Sequence, residues 1–160
     1  VGEGGLLFSS SMVRRLVSSG AVAQVRRILG RYHRISGTVM HGREIGRSLG
    51  FPTANISTDN EIIPCDGVYA VTVDVAGVLF MGACSVGINP TFQGGQHTIE
   101  VFLFDFEGVL YGCQVVIQFV ERLRDVVRFA DATSLIAQIT EDVAAARKML
   151  TAAHIPGMDQ

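Results

Sequence analysis

The stretch from Gly42 to Asn55 reads GREIGRSLGFPTAN, and its residue types suggest chemistry with phosphate and metal. Gly42, Gly46 and Gly50 recur at spacing four and lead through Pro52 to Thr53 and Asn55. Glycine lets backbone N–H groups approach a ligand closely. Thr53 and Asn55, two residues apart, point to the same side if they lie on a strand. Two neutral oxygen donors beside such backbone suit Mg²⁺ with a polyphosphate, because Mg²⁺ takes oxygen ligands and shares its shell with water and substrate phosphates. The run is not a Walker A loop, which needs a lysine. Lys148 is the only lysine in the chain, so Arg43 or Arg47 would have to supply side-chain charge. A glycine-rich hairpin with Thr53 and Asn55 as turn residues accounts for the same letters, and residue chemistry alone leaves both readings open.

Phosphorylating an alcohol also needs a proton acceptor. Glu100 is the candidate, a lone acid in the apolar segment TIEVFLF over residues 98–104. A carboxylate in a dry strand is costly without a partner or a function. Thr98 and Glu100 share a face, however, and an alternating strand could turn that face to solvent.

An ordered set of further motifs follows. It comprises Pro64-x-x-Gly67-Val68-Tyr69-Ala70, Gly87-x-x-Pro90-Thr91-Phe92 with Gly94-Gly95, and Ile99-Glu100-Val101. Then come Leu103-x-Asp105-Phe106-x-Gly108-x-Leu110-Tyr111-Gly112, and Leu123-Arg124 with Phe129. Together with GRSLGFPTAN over residues 46–55, this set resembles the riboflavin kinases, including the kinase module of bacterial bifunctional FAD synthetases. The resemblance runs from about Arg31 to Leu150.

The resemblance implies transfer of phosphate from Mg-ATP to the 5′-hydroxyl of riboflavin, giving FMN and ADP. It implies Glu100 as general base and Thr53 and Asn55 as Mg²⁺ ligands. Gly42, Gly46 and Arg47 correspond to a flap over the ATP phosphates. Gly50 and Pro52 of the same run, and Tyr111, correspond to nucleotide-side positions. Gln93, Gln96 and Thr98 lie on the segment that approaches the flavin, and Arg124 and Asp125 match a second flap beside the ring. Four positions depart from the family pattern: Ser85 for an asparagine, Phe102 for a histidine, and Val109 and Val126 for acidic residues. They keep a non-catalytic flavin-binding or regulatory barrel as the alternative. A third reading is a barrel that docks to a partner.

The elements that must position these residues are mostly strands. From Ile35 to Val120, short β runs alternate with Gly, Asn and Pro. Residues 67–75 and 78–86 read as a hairpin about Ala76-Gly77, and 98–106 and 111–119 as another about Glu107-Gly108. The pattern predicts a mainly β fold: a small antiparallel Greek-key barrel with a C-terminal helix packed on it. Over residues 133–150, Leu135, Ile139, Val143 and Ala146 make the apolar stripe of that helix. Residues 1–30 read as a short helical appendage, with Ser9–Ser11 offering an N-cap before Met12 and helices ending at Gly20 and Gly30. Its SSSMVR segment resembles the end of an FMN adenylyltransferase module, so docking to such a module through residues 1–30 is expected. The H-x-G-H motif of nucleotidyl transfer is absent from the sequence, and adenylylation of FMN is not expected from this chain alone. The domain division is then 1–30 appendage, 31–151 kinase domain and 152–160 tail. Val1 in place of methionine suggests a processed or truncated product.

Bulk properties exclude other classes. The 160 residues are 48% hydrophobic and 18% charged, which suits a packed globule rather than disorder. A net charge of −2 without a basic stripe argues against nucleic acid as partner. Residues 67–92 carry only Asp74 as charge, but Thr72 and Asp74 alternate with valines and Ala76-Gly77 breaks the run, so strands rather than a membrane span are expected. Three widely spaced cysteines without a C-x-x-C suit the cytoplasm and make a zinc site unexpected.

Overall fold

The computed structural model describes residues 11–40, 53–60, 62–88, 97–106, 108–127 and 129–153. Two short helices, α1 (Val13–Ser18) and α2 (Val22–Leu29), precede strands β1 (His33–Met40), β2 (Ala54–Ser57), β3 (Gly67–Val75), β4 (Val78–Ile88), β5 (His97–Leu103) and β6 (Gln114–Arg124). A long helix, α3 (Ala132–Ala152), closes the chain of elements. The strands form a closed barrel in the order β1-β2-β5-β4-β3-β6, every pairing antiparallel. β3, β4 and β5 run as a meander and β2 lies beside β5, which is the expected Greek-key arrangement.

The β3–β4 hairpin turns at Ala76-Gly77 as its sequence predicts. Both residues have positive φ, 53° and 89°, and the Gly77 N–H donates to the Asp74 carboxylate. The second expected hairpin is not formed. β5 pairs with β2 and β4, whereas β6 pairs with β1 and β3, so they lie on different parts of the wall. The cause lies in the connection: β5 ends at Leu103, Phe104 is buried, and Asp105 takes a left-handed φ of 59° that turns the chain away. β6 then starts at Gln114 and runs on to Arg124, five residues beyond the predicted end at 119.

Side chains alternate across the wall. Ile35, Val71, Val73, Val86, Ile99, Val101, Ile117 and Phe119 fill the interior with Tyr69. Full burial of one such side chain is worth roughly 1.5–3 kcal/mol. β3 is buried on both faces because α3 covers its outside, where Ala146 and Leu150 pack with Ala70, Phe104 and Val120. Asp131 caps α3 by accepting from the Ser134 N–H, a bond that holds its carboxyl below the usual range.

The N-terminal helices are tied to the barrel. Val22 joins the barrel core, and Val13, Val17 and Val25 pack with Ile62, so their apolar side is already covered. α1 begins at Val13 after Met12, with no side-chain cap, instead of at a serine cap; Ser9 and Ser10 lie outside the described residues. α2 ends at Gly30 in the left-handed conformation, as predicted.

Candidate active site on the outer barrel wall

Glu100 lies on β5 between Ile99 and Val101, both inside the barrel, so it projects from the outer face. Its cross-strand neighbours are Asn55 on β2 and Ser85 on β4. Just before β2, the Thr53 hydroxyl donates to the Glu100 carboxylate at 3.4 Å. Ala54 packs against the interior, which puts Thr53 and Asn55 on the outer face with the acid. One hydroxyl, one amide and one carboxylate are therefore presented on the outer face of two adjacent stretches of backbone.

Thr53 and Glu100 of this group border a cavity of about 290 Å³ between the barrel wall and α3. Thr53, Ser85, Glu100, Arg124 and Asp142 give it polar edges. Phe102, Val126, Val127 and Phe129 line it from the barrel side, and Leu135, Ile139 and Val143 from the helix. Such a pocket, mostly apolar with a few convergent polar groups, suits a small molecule with a flat apolar part. Arg124, the last residue of β6, forms a two-pronged pair with Asp142 on α3 at 2.8 and 2.7 Å. Cys84 also borders the cavity, but burial pushes its thiol well above the ordinary range, with Glu100 adding to the effect. It stays protonated and packs as a small hydrophobe.

The structure thus brings Thr53, Asn55, Glu100 and Arg124 to one side of the wall. Thr98 shares the outer face two residues from Glu100, and its hydroxyl donates to the Gly87 carbonyl at 3.4 Å. Four of the expected site residues within the described part of the chain do not line the cavity: Asn55, Thr98, Asp125 and Tyr111. Asp125 is exposed and pairs with Arg122 at 2.7 Å, because the chain turns outward after β6. Tyr111 is also exposed, on the turn whose Gly112 N–H bonds to the Val39 carbonyl near the end of β1. Gly42, Gly46, Arg47, Gly50, Pro52, Gln93 and Gln96 lie outside the described residues. Of the four departures from the family pattern, Ser85, Phe102 and Val126 line the cavity, while Val109 is exposed on the β5–β6 connection.

Asp142 was missed by the sequence reading, although it left a signal. It is a carboxylate set inside the stripe of Leu135, Ile139, Val143 and Ala146, and it is only 7% exposed. The wall residues Val126 and Val127 had no periodic signal, since they lie on irregular backbone after β6.

Comparison with known proteins gives this geometry a context. The family model described as "Flavokinase: Riboflavin kinase" matches residues 29–150. The chain belongs to the riboflavin kinase family. That makes it a member of a phosphotransferase family that uses ATP and a divalent metal. It is 40% identical over 146 residues to the bifunctional riboflavin kinase/FMN adenylyltransferase of Pseudomonas fluorescens, covering 91% of this chain and 47% of that protein. The Bacillus subtilis protein of the same description is 40% identical over 138 residues, covering 84% and 44%. The chain spans about half the length of the curated relatives it matches.

Among solved structures, the riboflavin kinase of Trypanosoma brucei superposes with a TM-score of 0.55 at 28% identity, covering 74% of this chain and 76% of that one. A Streptococcus pneumoniae structure described as a macrolide-efflux protein superposes with a TM-score of 0.83 at 34% identity, covering 86% of this chain and 46% of that one. Among the described residues, no helix is long and apolar enough to cross a membrane.

Proposed function

We propose that this riboflavin kinase domain transfers the γ-phosphoryl group of ATP to the 5′-hydroxyl of riboflavin, releasing FMN and ADP. The observation that carries the reading is the meeting of Glu100 and Thr53 at the rim of a largely apolar cavity, with Asn55 paired across from Glu100 on β2. The flavin ring occupies the apolar wall, which directs the ribityl chain toward Glu100. The Glu100 carboxylate accepts the hydroxyl proton as the oxygen attacks phosphorus. The hydrogen bond from Thr53 orients that carboxylate.

The donor set also fits a divalent cation, with Mg²⁺ the expected ion. Neutral oxygens of Thr53 and Asn55 beside a carboxylate are ligands for a hard ion. No group of three or more His, Cys, Asp or Glu side chains able to hold a metal occurs among the described residues. The residues that would hold the ion are Thr53 and Asn55, completed by substrate phosphate and water. When bound, it would neutralise charge on the transferring phosphate. The assignment of Gly42, Gly46, Gly50, Arg47 and Pro52 to the phosphate side, with Tyr111, and of Gln93, Gln96, Thr98 and Asp125 to the flavin side, is part of the same proposal.

Incubation with riboflavin and Mg-ATP, followed by separation of flavins, tests the reading; FMN is the expected product, and its absence refutes it. A non-catalytic flavin-binding module is favoured by the apolar Phe102 and Val126 in the cavity wall, and it would quench riboflavin fluorescence without forming FMN. Supplying FMN and ATP should yield no FAD from these residues alone. Because the curated relatives are bifunctional, residues 1–30 are the proposed contact with an adenylyltransferase module. The apolar side of α1 and α2 is covered by the barrel, so that contact would use their outer polar side. The three free cysteines, Cys65, Cys84 and Cys113, support a cytoplasmic setting.

A further inference from the structure

Arg124 reaches the cavity already engaged. Its Nε–H donates to Asp142 Oδ1 at 2.8 Å, its Nη2 to Asp142 Oδ2 at 2.7 Å, and its Nη1 to the Asp125 carbonyl at 2.8 Å. A guanidinium has five N–H donors, so two remain. The Gln138 side chain, one turn earlier on α3, donates to Asp142 Oδ1 at 3.1 Å and holds the acid in turn. The ring of Phe129 lies 6.0 Å from the guanidinium carbon. Asp142 is nearly buried within the apolar stripe of α3, a costly position for an acid that does nothing but pack.

Two consequences follow from this geometry. The two-pronged pair fixes the plane of the guanidinium, which a single contact would not. It also cancels the charge of Arg124. The two remaining donors then belong to a pair with no net charge at the cavity edge, which suits a neutral heterocycle edged with carbonyl and ring-nitrogen acceptors better than a phosphate.

We propose that Asp142 is a positioning residue for riboflavin: from α3 it orients and neutralises Arg124, so that Arg124 engages the polar edge of the flavin ring rather than the phosphates. This rests on the kinase reading for the identity of the ligand. It gives α3 a part in substrate recognition beyond covering the barrel.

The test uses the whole chain and reads binding and turnover separately. Riboflavin affinity is followed by fluorescence quenching, and kcat and KM by FMN formation. Asp142→Asn keeps the side chain's size but replaces an acceptor with a donor facing Arg124. It should weaken riboflavin binding and raise its KM by about tenfold, the scale of one charge-assisted hydrogen bond. The kcat and the KM for ATP should stay within about twofold of the parent on this proposal. Asp142→Glu should recover part of the affinity. In Arg124→Gln the same loss is expected, and adding Asp142→Asn to it should cost nothing further.

If Asp142→Asn does not fold, Gln138→Ala replaces it, with a loss of about threefold in the same direction expected from the weaker support of the acid. A folded variant at either position with parental riboflavin affinity overturns the proposal. So does a fall in kcat alone, or additive losses at Arg124 and Asp142. If the parent binds riboflavin in a manner sensitive to Asp142 yet forms no FMN, the kinase reading fails and the positioning role stands. If the parent forms FMN and Asp142→Asn matches it throughout, the reverse holds. A parent that does not bind riboflavin overturns both.

Discussion

Glu100 has two neighbours that bear on its reactivity: the Thr53 hydroxyl at 3.4 Å and Asn55 directly across the β2–β5 pair. Glu100→Gln keeps the shape and removes the proton acceptor. It should lower kcat on the order of 10²–10⁴-fold, the usual range for loss of a general base. Riboflavin binding, read by fluorescence quenching, should change little; near-parental turnover would discard the base assignment. Asn55→Ala removes an oxygen donor instead. It should raise the Mg²⁺ concentration needed for half-maximal rate, and an unaltered Mg²⁺ titration would count against the metal role. At this scale the sequence was informative about residues that meet on regular strands. Thr53, Asn55 and Glu100 could be placed on one face from period-two spacing and the family motif. Asp142 was hidden because a single acid in a helical stripe looks like an irregularity until its partner, eighteen residues away on another element, is seen. Asp125 lies away from the cavity, since adjacency to Arg124 says nothing about direction on irregular backbone.

β2 is four residues long, and it carries Asn55 and is preceded by Thr53, so the site depends on how β2 is held. On one side it pairs with β1, where Gly37 leaves no room for a larger residue. A Cβ at Gly37 would collide with the Ser57 carbonyl oxygen and press on the Ile56 side chain. Gly37→Ala should therefore destabilise the fold by about 1–3 kcal/mol, as overpacking does, measured by urea unfolding. It should also lower activity more than a core truncation of equal cost, because it moves β2 directly. Parental stability in that variant would show that the β1–β2 spacing is slack. The first hairpin was readable from its turn residues alone. The second was not, because strands adjacent in sequence need not pair, and burial of Phe104 with the left-handed Asp105 sends the chain elsewhere.

Over the whole molecule, His33 joins the first barrel strand to the segment that supports the N-terminal helices. Its Nε2–H donates to the Ile62 carbonyl at 2.9 Å, and Ile62 packs with Val13, Val17 and Val25. Burial lowers the His33 pKa below its ordinary value, with the Ile62 bond opposing and Arg31 adding to the decrease. The folded protein therefore binds this proton less readily than the unfolded chain. Protonation of His33 adds no pH dependence to stability well above the unfolded value of about 6.5, where both states are neutral. As pH falls below that value the unfolded state gains the proton first, and stability declines until the folded pKa is passed. Thermal midpoints should drop between pH 7 and pH 5.5, and His33→Gln should flatten that part of the profile. An equal slope in the variant would assign the acid sensitivity elsewhere.

The barrel is closed and its interior is filled with side chains, while the candidate site lies on the outside under α3. The barrel interior and the candidate site are therefore housed in separate rooms. Repacking Ile35, Val71 or Ile117 can raise heat tolerance without narrowing the entry for substrate, and redesign of the outer chamber can alter ligand preference without hollowing out the core.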